Sequence, residues 1–308
     1  MNTQGGDDRL YRNEGNGKFV DVSRSAGILF DIGFGLSVTT GDINHDGWID
    51  IYVANDFLQP DFFYINNGDG TFSEKSKEML KHMSFYSMGA DIADFNNDGL
   101  LDILVVDMMA EDNYRQKTMM AAMSTDNFWR SVEYGYHYQY MHNILQVNNG
   151  NGTFSEIANL SGIDKSDWSW NPILIDFDND GLKDFFVTNG IKRDVTDNDF
   201  RDKIYNSGSE KTLSVEDALN LAPSTKISNV IYKNNGDLTF TKKTQSWGMD
   251  IPSFSNGAAY ADFDLDGDLD LVINNVDEPA FLFRNNADRS QGNNYLRIDL
   301  VGNKLNMS

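Results

Sequence analysis

The stretch DFNNDGLLD, from Asp94 to Asp102, combines three aspartates and two asparagines around a single glycine. Side-chain oxygens at its first, third and fifth positions, with the backbone carbonyl of the seventh, match the first half of an EF-hand calcium loop. Gly99 at position six permits the sharp turn that brings these groups onto one centre. Position nine is again an aspartate and opens an aliphatic run. The stretch therefore predicts a cation-binding turn that leads into a strand.

This loop has three further copies, DINHDGWID (42–50), DFDNDGLKD (176–184) and DFDLDGDLD (262–270). A second motif, typified by INNGDGTF (65–72), also occurs four times. The phenylalanine that ends this motif precedes the first aspartate of the next loop by 22 or 23 residues in every copy. Such constant spacing is the signature of a repeat protein.

Each repeat unit indicates four short strands. An Asn-Asn-Gly turn between two β-rich segments is typical of a hairpin, and the aliphatic residues after each Asp loop favour a buried strand. Units of about 50 residues with four strands are typical of propeller blades. We therefore predict an all-β protein, a β-propeller of four-stranded blades. Four units are recognisable, with the start of a fifth, and we expect them to form part of a larger propeller.

The propeller is predicted over residues 1–286. Its approximate units are 9–60, 61–141, 142–229 and 230–281. Two units are longer than the others by about 30 residues, which predicts partly helical inserts at 108–141 and 191–228 on one face of the disc. Within the second insert, Ser214 followed three residues later by Asp217 resembles a capping box, so a short helix is expected there.

The four loops supply the predicted metal ligands. An all-oxygen donor set favours Ca²⁺ over zinc or copper, and Mg²⁺ prefers to keep its waters. We expect about one Ca²⁺ in each loop, four in all. The seventh residue of each loop would contribute only its backbone carbonyl, so the side chain of Asp268 is expected to be incidental. The predicted ligands are Asp42, Asn44, Asp46, Trp48 and Asp50; Asp94, Asn96, Asp98, Leu100 and Asp102; Asp176, Asp178, Asp180, Leu182 and Asp184; and Asp262, Asp264, Asp266, Asp268 and Asp270.

The amino-acid composition limits the classes of partner that the protein is expected to bind. The formal net charge is −22, which argues against binding to nucleic acid or to an anionic membrane surface. The chain has no cysteine, so it has neither disulfides nor thiolate metal sites. No apolar run reaches the length of a membrane span, and the first residues do not read as a secretory signal. We expect the sequence to be part of a longer chain.

The loops with their Asn-Asn-Gly hairpins resemble FG-GAP/VCBS repeats, the calcium-binding propeller blades of integrin α-subunits, cartilage acidic protein and many bacterial surface proteins. The stretches DWSWNPILIDFDNDG and NNVDEPAFLFRNN are similar to large bacterial VCBS proteins, and residues 287–308 resemble the start of their C-terminal ASPIC/UnbV domain. The resemblance implies calcium-stabilised blades and export to the cell surface or beyond. It implies no known reaction.

Four aromatic residues are candidate ligand contacts. Trp168 and Trp170 could form a stacking platform for a sugar, or they could pack between blades. Tyr136 and Tyr138 alternate as on a strand and could line a groove, or they could pack the first insert against its blade. His137 and His142, five residues apart, have a poor metal-ligand spacing, although an acid–base site with Glu133 is conceivable.

Residues five positions after the last ligand of each loop read as turn formers at strand ends, namely Asn55, Asp107, Asn189 and Asn275. No catalytic constellation stands out, so an enzyme is not expected.

We expect an extracellular or cell-surface calcium-binding propeller that acts as a binding or adhesion module for a protein or a glycan. One alternative is a carbohydrate-active lyase or hydrolase on the same scaffold, which carboxylates converging in a cleft between the inserts would favour. The other is a purely structural spacer.

Overall fold

The computed structural model describes residues 6–30, 32–119, 124–205, 214–287 and 298. Over these residues the protein is mostly β, with four antiparallel sheets arranged as a four-blade β-propeller and few helices. The predicted fold class is thus confirmed. The predicted ASPIC/UnbV-like segment lies outside the described residues, apart from Ala287 and Ile298.

The strands of the described chain are β1 (Tyr11–Gly15), β2 (Lys18–Asp21), β3 (Phe34–Gly41), β4 (Asp50–Asp56), β5 (Phe62–Asn66), β6 (Phe72–Glu74), β7 (Met83–Ser84), β8 (Gly89–Ala93), β9 (Asp102–Val106), β10 (Gln139–Tyr140), β11 (Ile144–Asn148), β12 (Phe154–Glu156), β13 (Ser169–Ile175), β14 (Asp184–Asn189), β15 (Ile227–Ser228), β16 (Val230–Asn234), β17 (Phe240–Lys242), β18 (Pro252–Ser253), β19 (Ser255–Ala261), β20 (Asp270–Asn275) and β21 (Phe281–Phe283). The helices are α1 (Ser76–Met79), α2 (Asn113–Thr118), α3 (Thr125–Glu133), α4 (Ala158–Ser161), α5 (Asn198–Tyr205) and α6 (Val215–Leu221).

The blades follow one another along the chain. Blade 1 has the order β3-β4-β5-β6, blade 2 β8-β9-β11-β12, blade 3 β13-β14-β16-β17 and blade 4 β19-β20-β21. Strands β3, β8, β13 and β19 contact one another in that order and are the innermost strands of the blades. In blades 1 to 3 the Asp loop joins the two inner strands and the Asn-Asn-Gly turn joins the two outer strands, so each sheet is staggered against the sequence units.

Strand β21 was expected to begin a fifth unit. It instead pairs antiparallel with β20, with Leu271 opposite Phe283, and is the third strand of blade 4. The reason is the stagger between sheet and sequence unit: the segment after each Asp-loop hairpin completes the blade of that hairpin. At the other end, β1 and β2 form a separate hairpin that precedes blade 1.

The core lies between neighbouring blades. The second strand of each blade is the most buried, and every residue of β9 is buried. The largest apolar cluster joins Leu104 and Leu145 of blade 2 to Leu174 and Phe185 of blade 3. Each such side chain contributes about 1.5–3 kcal/mol by leaving water, so the blades stabilise one another through these faces.

Both predicted inserts are partly helical. The first contains α2 and α3, and the second contains α5 and α6. Ser214 caps α6 as predicted: its Oγ accepts the Asp217 N–H at 3.1 Å and donates to the Asp217 carboxylate at 2.7 Å. The two inserts touch, because the Asn198 amide donates to the Lys117 carbonyl at 3.1 Å. None of the described helices has the length and apolarity required to span a membrane.

Candidate calcium loops and a candidate ligand cavity

The second Asp loop shows how its backbone orients the carboxylates. Asp94 accepts the N–H groups of Asp98 and Gly99 at 3.1 and 3.0 Å, one on each oxygen. Asn96 also accepts the Asp98 N–H at 3.0 Å, and Asp98 accepts the Leu100 N–H at 2.8 Å. These bonds turn the oxygens of positions one, three and five toward one side of the turn. Loop 1 repeats all of them, and loops 3 and 4 repeat those of positions one and five.

Position nine holds each loop to the adjacent hairpin. Asp102 accepts the Phe95 N–H at 3.3 Å within its own loop and the Asn148 N–H at 2.9 Å from β11. The carboxylate is fully buried, and this burial raises the pKa of Asp102 to about 7. The equivalent residues Asp50, Asp184 and Asp270 make the same pair of contacts.

The arrangement fits Ca²⁺. Oxygen atoms of Asp176, Asp178 and Asp184 lie within 4.8 Å of one another in loop 3, and those of Asp262, Asp264 and Asp270 do so in loop 4. Like charges this close disfavour one another, and a divalent cation between them relieves the repulsion. Oxygen-only donors around a flexible turn match calcium chemistry. The residues that would hold the ion are the predicted ligands of each loop.

Loops 3 and 4 also contact a basic side chain. In loop 3 the Lys233 ammonium donates to Asp178 and, at 2.5 Å, to Asp180. In loop 4 the Arg284 guanidinium lies 2.7 Å from Asp264 and 2.9 Å from Asp266. Sequence reasoning missed both residues. The sequence feature that could have identified them is the residue directly before each Asn-Asn pair. This residue is apolar in the blades of loops 1 and 2, Ile65 and Val147, and basic in the blades of loops 3 and 4.

Asp268 lies in a different environment from its counterpart in loop 1. Asp268 is fully buried, whereas Trp48, the residue at the same position of loop 1, is 52 % exposed. Hydrogen bonding to Arg284 and then to the Asp268 side chain lowers the pKa of Asp266 to about 2. The Asp268 side chain is therefore part of the environment of loop 4, and its having no role as a metal ligand stays a prediction. Its backbone carbonyl remains the predicted ligand.

The opposite end of each Asp-loop hairpin holds the predicted turn formers. The backbone N–H of Asn55 donates to Asp61, that of Asp107 to Asn143 and that of Asn189 to Asn229, each at 2.8 Å. Asn275 lies at the end of β20 and donates to the Pro279 carbonyl at 2.8 Å. The structure thus places all four residues at strand ends, where they join the second strand to the following connection.

A cavity of about 690 Å³ lies where the first insert meets the connections after β4 and β7. Its volume is within the range of small-ligand sites. Tyr136, a predicted contact, lines it, whereas Tyr138 lies beside it, 6.3 Å from the ring of Phe128. Sequence reasoning missed the rings that come from elsewhere in the chain, because long connections bring them together. The aromatic lining residues are Phe57, Phe85, Tyr86, Phe128, Tyr134 and Tyr136.

Two features of this cavity are those of a binding site. The Gln139 amide nitrogen is buried without a hydrogen-bond partner among the described residues. Phe57 has a φ of +73°, a left-handed conformation that is strained for a bulky side chain. In this conformation its ring lies 6.5 Å from that of Phe85 and 5.9 Å from that of Tyr86.

Comparison with protein families now places the chain. The FG-GAP-like repeat model matches residues 2–53, 42–105 and 128–187, which together are more than half of the sequence. The chain belongs to the FG-GAP-like repeat family. As a propeller of this family it has the architecture of a binding module.

Two individual proteins are similar to this FG-GAP chain. Human cartilage acidic protein 1 is 25 % identical over 283 residues, which is 90 % of this chain, and the chain spans about a third of that protein, 34 % of its length. A solved Agrocybe aegerita lectin, described as recognising non-reducing terminal N-acetylglucosamine, aligns over 92 % of this chain and 76 % of its own at 15 % identity. The TM-score of this alignment is 0.35.

The two tryptophans of the FG-GAP chain lie in packing positions. Trp168 is 8 % exposed and belongs to the cluster between blades 2 and 3. Trp170 packs against the same cluster, and its indole N–H donates to the Gly190 carbonyl at 2.7 Å. Their position favours the packing alternative, because Trp168 is buried in the cluster and Trp170 is partly buried against it. Ligand contact by these two rings stays a prediction.

A second, polar cleft lies between the two inserts of the FG-GAP propeller, with a volume of about 670 Å³. Its carboxylates already have local partners. Asp167 forms a two-point ion pair with Arg115, at 2.7 and 2.8 Å. Glu111 pairs with Lys242, and Asp112 caps α2. Asp167 and Glu111 of this cleft therefore hold the first insert against blade 3 and the segment that leads into it.

Proposed function

We propose that this chain is a calcium-stabilised, extracellular FG-GAP propeller that binds a glycan in the aromatic cavity of the first insert. The observation that carries the proposal is the six-ring lining around a buried, unpartnered amide. Aromatic faces pack against the apolar faces of sugar rings, and amide groups pair with hydroxyls. A protein ligand is the alternative outcome of the experiment below.

Calcium supports this role through stability. Each loop that binds Ca²⁺ in the folded state alone stabilises it by about 2.7 kcal/mol at a concentration 100 times its dissociation constant. Calcium modules outside cells work at dissociation constants of about 10⁻⁴–10⁻³ M. The chain has no cysteine, so calcium loops take the stabilising role that disulfides have in many secreted domains.

The carbohydrate-active enzyme has less support. Carboxylates converging in the cleft between the inserts would have favoured an enzyme, and the carboxylates of this cleft are held in ion pairs and helix caps. A spacer would have no need for a strained phenylalanine beside a six-ring cavity. We therefore propose binding without catalysis.

The test is a glycan array probed with the full chain in millimolar Ca²⁺, followed by titration of any hit. Y136A and F128A should each weaken binding by roughly tenfold or more, the loss expected when one ring of a ligand site is removed. Y114A is the matched control, because Tyr114 is 72 % exposed on α2 and does not line the cavity.

Equal binding by all three variants would show that the cavity is not the site. A blank glycan array together with capture of a protein that depends on Tyr136 would replace the glycan with a protein ligand.

A further inference from the structure

A cluster of two histidines and a glutamate lies outside the Asp loops. One nitrogen from each of His82 and His142 and one carboxylate oxygen of Glu156 lie within 4.8 Å of one another. The His82 Nε2 is already 3.3 Å from the Glu156 carboxylate. Two ligands of a tetrahedral zinc ion, each about 2.0–2.1 Å from the metal, are themselves about 3.4 Å apart. The separation of His82 and Glu156 therefore matches that of two ligands on one tetrahedral zinc ion.

Regular structure positions all three residues. His82 directly precedes β7, and His142 lies two residues after the end of β10. Strands β7 and β10 pair in parallel, which brings the two histidines close together. Glu156 ends β12, opposite Gln146 of β11. The cluster thus joins the connection that leaves blade 1, the end of the first insert and the outer edge of blade 2.

The histidine environments suit metal binding. The His142 Nδ1 lies 2.6 Å from the Asn143 carbonyl, and the tautomer that donates this bond leaves its Nε2 with a lone pair. A ring nitrogen that donates to a carbonyl is the usual second interaction of a zinc-bound histidine. His137, which the sequence pairs with His142, is directed elsewhere, because its Nδ1 accepts the Tyr138 N–H at 2.7 Å.

Comparison with Glu74 of blade 1 distinguishes the two roles that Glu156 could have, which are hydrogen bonding to the backbone and metal binding. Glu74 accepts the backbone N–H groups of Phe63 and Ser76, at 3.3 and 2.7 Å. Glu156 accepts the corresponding groups in blade 2, at 3.2 and 2.6 Å. Its Oε1 makes both of these bonds, so its second oxygen remains for the histidines. The backbone role is therefore common to both blades, and the histidines are added only in blade 2.

We propose that His82, His142 and Glu156 form a binding site for a divalent metal ion of the zinc class, with one coordination position open. The Glu156 side chain is 7 % exposed, whereas that of His82 is 25 % exposed and His142 is partly exposed, so water or a donor from a bound ligand can reach the ion from the histidine side. Imidazole and carboxylate are suitable zinc ligands, and two histidines with a glutamate leave the fourth position free.

Metal binding here would also hold aromatic side chains of the first insert. The ring of Tyr140 lies 5.2 Å from that of His82 and stacks on His142 at 6.2 Å. Tyr140 also stacks on the ring of Phe128, with the ring centres 5.2 Å apart. Phe128 in turn lines the aromatic cavity. The ion would thus fix a chain of rings that ends in the candidate ligand site.

The experiment is a titration of the full chain with ZnCl₂, by calorimetry and equilibrium dialysis, in Ca²⁺ high enough to fill the Asp loops. We expect one zinc ion bound per chain, and Co²⁺ in its place should give the visible absorption of a low-coordinate site. H82Q, H142Q and E156Q should each weaken zinc binding by on the order of 100-fold, the upper end of what loss of an outer metal partner alone causes.

Two controls match these variants. E74Q changes the glutamate that has only the backbone role. H45N removes a histidine at a left-handed position of loop 1, where loops 2 and 3 have Asn97 and Asn179. Each variant is accepted only if its melting transition in Ca²⁺ is cooperative, and E156Q keeps an oxygen for the backbone bonds.

Zinc binding by H82Q, H142Q and E156Q equal to that of the wild type would overturn the proposal. So would the absence of a zinc site in saturating Ca²⁺, and the cluster would then be a side-chain contact between His82 and Glu156.

Discussion

The first two Asp loops and the last two reach a similar charge by different means. Loops 1 and 2 have asparagine at position three and an apolar side chain before the Asn-Asn pair. Loops 3 and 4 have aspartate at position three and a basic side chain, Lys233 or Arg284, that contacts it. The side-chain ligands at positions one, three, five and nine, taken with that basic side chain, have three net negative formal charges in every loop, and Asp268 at position seven adds one more in loop 4. The comparison teaches that these four ligand positions reach the same formal charge in all four loops while the residue types change.

The largest expected effect is that of removing calcium. Excess EDTA should lower the melting temperature by many degrees, since each filled site stabilises the fold by about 2.7 kcal/mol at 100 times its dissociation constant. Loops 1 and 2 have no internal cation among the described residues, so their amides should exchange faster in EDTA than those of loop 3. Hydrogen exchange by mass spectrometry measures both states. Identical melting with EDTA and with Ca²⁺ would remove the calcium assignment.

The next prediction compares blade 1 with blades 2 and 3 at the end of the inner hairpin that lies opposite the Asp loop. There Asp61 occupies the position of Asn143 and Asn229, and its burial raises its pKa to about 7. Because the folded pKa lies above the unfolded value, the stability that the bound proton contributes is complete below pH 4 and is lost as the pH rises through 7.

D61N should remove the part of this loss that Asp61 contributes and raise the free energy of unfolding at pH 8 by about 2–4 kcal/mol relative to the wild type. Burial also raises the pKa of Asp107 in blade 2 to about 7, so part of the pH dependence should remain. Chemical denaturation between pH 5 and pH 8, in Ca²⁺, measures the difference. A pH dependence in D61N that equals that of the wild type would show that Asp61 does not contribute to it.

A double-mutant cycle at loop 3 tests the charge balance itself. K233V alone should destabilise the calcium-free protein by about 1–3 kcal/mol, because it removes the ammonium group that donates to Asp178 and Asp180. K233V with D178N copies loop 2 and should recover most of that loss. In Ca²⁺ the K233V variant should gain more stability than the wild type, since the ion meets one more net negative charge. Additive effects of the two substitutions would contradict the coupling between them.

The smallest effect concerns a matched pair of turns. Phe57 in blade 1 and Asp277 in blade 4 both lie two residues after the turn-forming asparagine and both have positive φ, +73° and +59°. F57N should stabilise the fold by up to about 1 kcal/mol by relieving strain, and it should weaken ligand binding because the cavity loses a ring. D277N, at the matched turn, should change stability little. Tighter ligand binding by F57N would show that the ring blocks the cavity.

Much of this structure could be predicted from local sequence. The loop ligands lie within nine residues of one another, and the bonds that orient them link residues two to five positions apart. The hairpins depend on Asn-Asn-Gly turns of equally short range. Repetition of such local signals in constant phase indicated the propeller, because each unit must bury its apolar face against the next.

Sites built from distant residues could not be predicted in this way. Lys233 is 55 positions from Asp178, and the cluster of His82, His142 and Glu156 draws on three separate elements. The aromatic cavity likewise joins Phe57 to an insert about 70 residues later. The sequence contains all of these side chains, but the packing of blades and connections determines which of them meet. Short-range geometry follows from the chain, and long-range juxtaposition follows from the fold.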